Sequence, residues 1–281
     1  MQFVQSTAKI EFVKSVAEKN QNRKLMPAQA GIESPLHTID CGLANYREVL
    51  QLQHQLREKR RRGKIPDTVL ILEHPATITL GARQSANKIL ASKEDLAQKH
   101  IDVVDIRRGG GTTAHNPGQL VFYPILNLQE LNLGISEYIR ELESIGVELL
   151  EQLGVHAERQ KGFPGLWVTN YKAPNEASSN AQNVTNRKNE LNSSSVQPQR
   201  HTICDIRHTS KIASIGVRVS KFITFHGMAI NIQNDLSIFE FITPCGLDNV
   251  EMTSVLKETG KRHSMSQVKE RLSQLLIRHF S

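Results

Sequence analysis

Apolar positions along this chain follow two periods, and their interleaving predicts helices mixed with strands. Tyr46, Val49, Leu50, Gln53 and Leu56 lie at helical spacing after Asn45, with Glu48 as capping partner and Gly63 as the stop. Ile135, Ile139, Leu142, Gly146, Leu149 and Leu153 mark one face of a longer helix closed by Gly154. Met265, Val268, Leu272, Leu275 and Leu276 line a last helix, opened by Ser264 with Gln267 as its capping partner. Short apolar runs predict strands at 68–72, 101–106 and 120–126, and another apolar segment ends at Trp167-Val168. From Lys211 to Val219 the pattern alternates, with Ile212, Ser214, Gly216 and Arg218 set against Ala213, Ile215, Val217 and Val219. Two further strands, at 222–225 and 228–232, are expected on either side of His226-Gly227.

Strands and helices follow one another without strict βαβ alternation, and no internal repeat is present. The expectation is one mixed α/β (α+β) domain, a mixed sheet flanked by helices, over residues 37–281. Two stretches fall outside that pattern. Residues 1–36 are weakly basic and only patchily apolar, and read as an N-terminal extension. Residues 170–209 are rich in Asn, Ser, Gln and Lys, with almost no large apolar side chains, and read as a polar low-complexity insertion at the surface.

Composition narrows the setting. No run is apolar enough to cross a bilayer, which excludes a membrane-spanning helix. The first residues lack an apolar core followed by a small-residue cleavage site, which argues against secretion. A cytoplasmic location is expected; a mitochondrial one is the alternative, disfavoured by Glu11, Glu18 and Glu33. Cys41, Cys204 and Cys245 are odd in number and widely spaced, which fits a reducing compartment. A net charge of +7 favours an acidic partner, whether nucleic acid, anionic lipid or an acidic carrier protein, without choosing among them. Lys59-Arg60-Arg61-Arg62 reads as a solvated helix end whose cations complement the helix dipole.

Candidate chemistry gathers at a few places. Pro244-Cys245-Gly246 puts a thiol on a rigid bend, although most thiols simply fill a core. The loop Arg107–Gln119 carries Gly109-Gly110-Gly111, whose amides could face an anion or a small acyl group, or merely connect two strands. It is neither a P-loop nor a dinucleotide-binding fingerprint. Lys211 stands at the mouth of an apolar strand; beside Cys245 its ammonium would favour the thiolate. His226-Gly227 is a candidate pocket wall. His201, Cys204 and His208, with Asp205 adjacent, have loosely metal-like spacing but lack a fourth ligand, and no metal is expected.

Six blocks in this order resemble the lipoyl(octanoyl) transferase family, the cysteine–lysine acyltransferases of lipoate assembly. They are Leu72-Glu73-His74-Pro75 with Thr79-Leu80-Gly81, Arg108–Gln119, Pro164–Val168, Lys211–Gly216, His226–Asn231, and Pro244–Leu247 with Thr253-Ser254. The resemblance implies the fold of biotin and lipoate protein ligases. It implies that Cys245 takes an octanoyl group from octanoyl-acyl carrier protein as a thioester, with Lys211 lowering the thiol pKa and moving protons. The acyl group would pass to the target lysine of apo lipoyl domains, in 2-oxoacid dehydrogenase subunits and glycine-cleavage H protein. Arg108, Gly109, Gly110, Gly111, Thr112, Thr113, Ala114, His115, Ser214, Ile215, Gly216, Gly227, Met228 and Ala229 would bind substrate. No cofactor, metal or nucleic acid is implied. In the glycine loop, Thr112, Ala114 and Asn116 stand where the family usually has Val, Tyr and Gly, and loss of the ring at Ala114 is expected to widen the pocket. Two alternatives remain open: an ATP-dependent lipoate or biotin ligase on the same fold, and a basic nucleic-acid-binding module.

Overall fold

The computed structural model describes residues 36–171, 207–246 and 250–281, apart from the side chains at 170, 171, 207, 208 and 245. The candidate metal residues at 201 and 204, most of the polar insertion and nearly all of the N-terminal extension lie outside the described residues. In chain order the elements are β1 His37–Leu43, α1 Tyr46–Arg61, β2 Thr68–Glu73, β3 Thr77–Leu80, α2 Lys93–Gln98, β4 Asp102–Asp105, β5 Thr113–His115 and β6 Gln119–Ile125. There follow α3 Ile135–Gln152, β7 Glu158–Gln160, β8 Phe163–Tyr171, β9 Arg207–Ser220, β10 Ile223–Asn231, β11 Glu251–Met252, α4 Val255–Thr259 and α5 Met265–Phe280.

The main sheet runs β1-β2-β6-β10-β9-β8-β7, with β11 also on β9. β1 is parallel to β2 and β11 to β9; the other neighbours are antiparallel. Period-two alternation splits the central strands between two layers of helix. Val69, Ile71, Leu120 and Phe122 pack with Tyr138, Leu142, Leu149, Leu272 and Leu276 of α3 and α5. Leu70, Leu72, Val121, Tyr123 and Ile125 pack with Val49, Leu52 and Leu56 of α1. Covering both faces is why 68–72 is continuously apolar rather than alternating. A separate sheet, β4-β3-β5, closes its own small core of Ile78, Leu96, Ala114, Ile238, Phe239 and Ile242.

The single mixed sheet expected from the pattern is therefore joined by a second sheet. Several local expectations also change. β1 precedes the first element that the apolar pattern predicts; its bulge between Asp40 and Gly42 breaks the alternation. The two strands expected around His226-Gly227 are one, because β10 stays paired with β9 from Ile223 to Ile230 while His226 (φ +58°) kinks it on the β6 side. Ile135 is exposed, and Tyr138 rather than Ile135 begins the buried face of α3. Ser264 caps no backbone amide of α5; its hydroxyl meets that of Ser266. Within the basic run at the end of α1, Arg60 is buried rather than solvated, and its guanidinium holds Asp67 (2.6 Å) and Glu130.

Candidate active site

Three segments far apart in sequence meet at one place because of strand register. Ser214, Ile215 and Gly216 on β9 pair with Ala229, Met228 and Gly227 on β10, and β6 runs along the other side of β10. The glycine loop closes over them, with the Gly109 amide donating to the Val217 carbonyl (3.1 Å). The pocket so formed holds about 430 Å³ of space between atoms, its mouth included. Arg108, Gly110, Thr113 and His115 line it, together with 214–216 and 227–229.

Four predicted residues do not line that wall. Gly109 packs against the Val217 carbonyl, Gly111 packs on Ala86, and the Thr112 hydroxyl accepts from the Lys88 amide. Ala114 points the other way along β5, into the small-sheet core. The missing ring at Ala114 therefore alters that core, and the widening expected from it does not follow.

His226 lines it as well, as expected of the His226-Gly227 wall, and the structure adds Tyr46, Val121 and Tyr123. Tyr46 has no signal in the sequence beyond its place on a buried helix face. Its ring stacks on His115, with centroids 5.6 Å apart. Behind them the His74 Nδ1 donates to the Ala44 carbonyl (2.7 Å), so its Nε2 accepts from the Tyr123 hydroxyl (2.8 Å). Arg108 donates to Thr79 Oγ1 (2.8 Å), to the Thr79 carbonyl and to the Gly109 carbonyl.

Burial keeps the imidazoles of this cluster neutral. His74 is pushed down to about 4 and His226 to about 3, in each case mainly because burial penalises the charged ring. His115 is held well below 6.5, chiefly by burial and then by His74. In the unfolded chain these rings gain protons below about pH 6.5, while the folded chain does not take them up until near pH 4 or lower. Their stabilising effect is complete above pH 6.5 and is lost as the pH falls towards 4. His74→Gln should therefore lose about 3 kcal/mol less stability than the wild type between pH 7 and pH 4. Urea unfolding at the two pH values measures this, and parallel losses would show that His74 does not titrate as described.

Lys211 is only 2% exposed, inside β9 rather than at its start, three residues from Ser214. Its ammonium donates to the Pro164 carbonyl (3.0 Å) and lies 4.9 Å from the centre of the Trp167 ring. Gly165 (φ +117°) allows the β8 backbone to pass so close. Pro164–Trp167 is thus a cradle for the lysine stem. The backbone of Cys245 lies in the tight turn Pro244–Gly246, which packs against β5 and the turn Gln84–Ala86; its side chain lies outside the described residues. Thr243, just before it, is tied to the Lys88 carbonyl (3.1 Å).

Known proteins resemble this chain in both sequence and fold. Residues 45–277 match the model of the lipoyl protein ligase A/B catalytic domain. An octanoyltransferase of Koribacter versatilis is 34% identical over 235 residues, 83% of this chain and 79% of that protein. One from Chloroflexus aurantiacus is 36% identical over 232 residues, 82% and 87% of the two chains. Among solved structures, the bipartite lipoate protein ligase of Thermoplasma acidophilum superposes with a TM-score of 0.56 at 13% identity, covering 89% of this chain and 84% of that one. A lipoate-protein ligase A solved with ATP gives 0.55 at 16% identity, covering 88% and 85%. The mixed sheets, the helix layers and the match across 45–277 place this chain in the lipoyl protein ligase A/B catalytic-domain family.

Proposed function

We propose that this protein transfers an octanoyl group from octanoyl-acyl carrier protein to the target lysine of apo lipoyl domains through a Cys245 thioester. The observation that carries this reading is the convergence of the glycine loop, Ser214–Gly216 and Gly227–Ala229 on one pocket, with the buried Lys211 on the same strand. The octanoyltransferase relatives point the same way. The Cys245 thiolate attacks the octanoyl thioester carbonyl and the carrier thiolate leaves, taking a proton from the Lys211 ammonium, so one thioester replaces another. The neutral amine of the acceptor lysine then attacks, the carbon–sulfur bond breaks, and the thiolate is regenerated as an amide forms. Lys211 favours the thiolate by its charge and relays the proton given up by the amine. The donor thioester is already activated, so the reaction calls for neither ATP nor metal. The basic surface steers an acidic carrier and acidic lipoyl domains into contact. Lipoyl domains of 2-oxoacid dehydrogenase subunits and glycine-cleavage H protein are the acceptors. No helix among the described residues is long and apolar enough to cross a membrane.

Incubating the protein with octanoyl-acyl carrier protein and weighing it intact should show one octanoyl adduct that Cys245→Ala abolishes. ATP-dependent ligation surviving in Cys245→Ala would instead identify a ligase. Salt-sensitive nucleic-acid binding without an adduct would identify a binding module.

A further inference from the structure

β10 runs beside β9 as far as Ile230, opposite Ala213, and ends at Asn231. The same edge of β9 is then taken up by β11, where Met252 lies opposite Lys211. β11 has two residues, too few to hold a register alone. The following peptide anchors it: the Thr253 amide donates to the Lys211 carbonyl (3.0 Å), and the Thr253 carbonyl accepts from Asn231 Nδ2 (2.9 Å). Asn231 and Thr253 are both fully buried.

The other end of the Asn231 amide is linked to the pocket wall through Gln119. Asn231 Oδ1 accepts from Gln119 Nε2 (3.0 Å) and Asn234 Nδ2 (3.3 Å). Gln119 Nε2 also donates to the Ala114 carbonyl (3.2 Å), and Gln119 Oε1 lies 2.7 Å from His115 Nδ1. A backbone carbonyl can only accept, so the carbonyls of Thr253 and Ala114 fix which end of each amide is NH₂. Gln119 Oε1 must then accept from His115 Nδ1–H, and the neutral ring turns an unprotonated Nε2 to its other side.

From this chain we infer that Asn231 is a positioning residue. It locks the strand edge that carries Lys211 to the pocket wall that carries His115, so that the acyl group and the lysine keep one relative placement. The inference rests on the acyl-transfer reading above. Asn231 acts through its neighbours and touches neither substrate nor thiol.

In single-turnover reactions with octanoyl-acyl carrier protein, Asn231→Leu should lower the acylation rate constant about tenfold or more. The half-saturating carrier concentration should stay within about threefold, because the carrier does not dock on this buried network. Exchange of the Thr253 amide should quicken. Asn231→Asp keeps the shape, and only its protonated form donates to the Thr253 carbonyl. Its rate relative to wild type should therefore fall as pH rises, a signature that loosened packing does not produce. If Asn231→Leu does not fold, the pH profile of Asn231→Asp carries the test. A wild-type rate constant in a folded Asn231→Leu, or a flat relative profile for Asn231→Asp, overturns the inference. Absence of an octanoyl adduct on the wild type would overturn the acyl-transfer reading instead.

Discussion

Lys211→Met is expected to fold and to lose acyl transfer by about 10²–10⁴-fold, the range that a positioned proton-transfer group contributes. The stem of Lys211 is already buried beside Trp167, and methionine fills a comparable slot without the charge. What disappears is the ammonium, whose donation to the Pro164 carbonyl fixes its direction. Stability should fall by about 1–2 kcal/mol, since the Pro164 carbonyl loses its buried donor. The pH dependence separates the two parts of the lysine's role. If its charge favours the thiolate, alkylation of Cys245 by iodoacetamide should move to higher pH in Lys211→Met, towards the ordinary thiol midpoint of about 8.5. Lys211→Arg should not restore the rate, because a planar fork does not fit beneath the Pro164–Trp167 backbone. Activity of Lys211→Met within about threefold of wild type would remove the lysine from the mechanism.

The sequence made the chemistry more legible than the geometry. Residue types in the six blocks were enough to suggest a thiol, a lysine and a pocket, because each chemistry requires particular atoms. Their convergence depends on register, and register is a long-range property. Nothing local says that Gly216 lies opposite Gly227. Ala114 shows a missed local signal: along β5 Thr113 and His115 face the pocket, so period two alone puts Ala114 on the opposite face. Tyr46 was legible as a buried helical residue, but its stacking on His115 requires knowing which strand α1 covers. Arg60 failed for the same reason. A helix-dipole argument sees the neighbours along α1 and cannot see Asp67 and Glu130 arriving from elsewhere. His226 kinks a strand that its neighbours hold continuous, so a break in the apolar pattern there is not a break in the chain's pairing.

Gly165→Ala should unfold the protein or leave it destabilised by about 4 kcal/mol, with acyl transfer lost in whatever folds. Two separate costs make up that figure. At φ +117° the backbone occupies a region that L side chains rarely adopt, which costs on the order of 1–3 kcal/mol. A β-carbon there would also lie 2.3 Å from the Ala213 carbonyl oxygen and 2.9 Å from Lys211 Cε. Ala213 sits in β9 between Leu166 of β8 and Ile230 of β10, so its carbonyl has no room to swing aside. Any relief must come from pushing the lysine stem or splaying β8 from β9, and either displaces the ammonium from Pro164. Gly162→Ala isolates the first cost. Gly162 also has positive φ (+86°), but nothing lies within 4 Å of its would-be β-carbon, so only the conformational penalty of about 1 kcal/mol is expected, with activity retained. Urea unfolding of the two variants side by side, with acylation rates, reads the difference. Equal destabilisation would mean that the close approach of Gly165 to Lys211 does not set the cradle, and that strain at φ alone decides both positions.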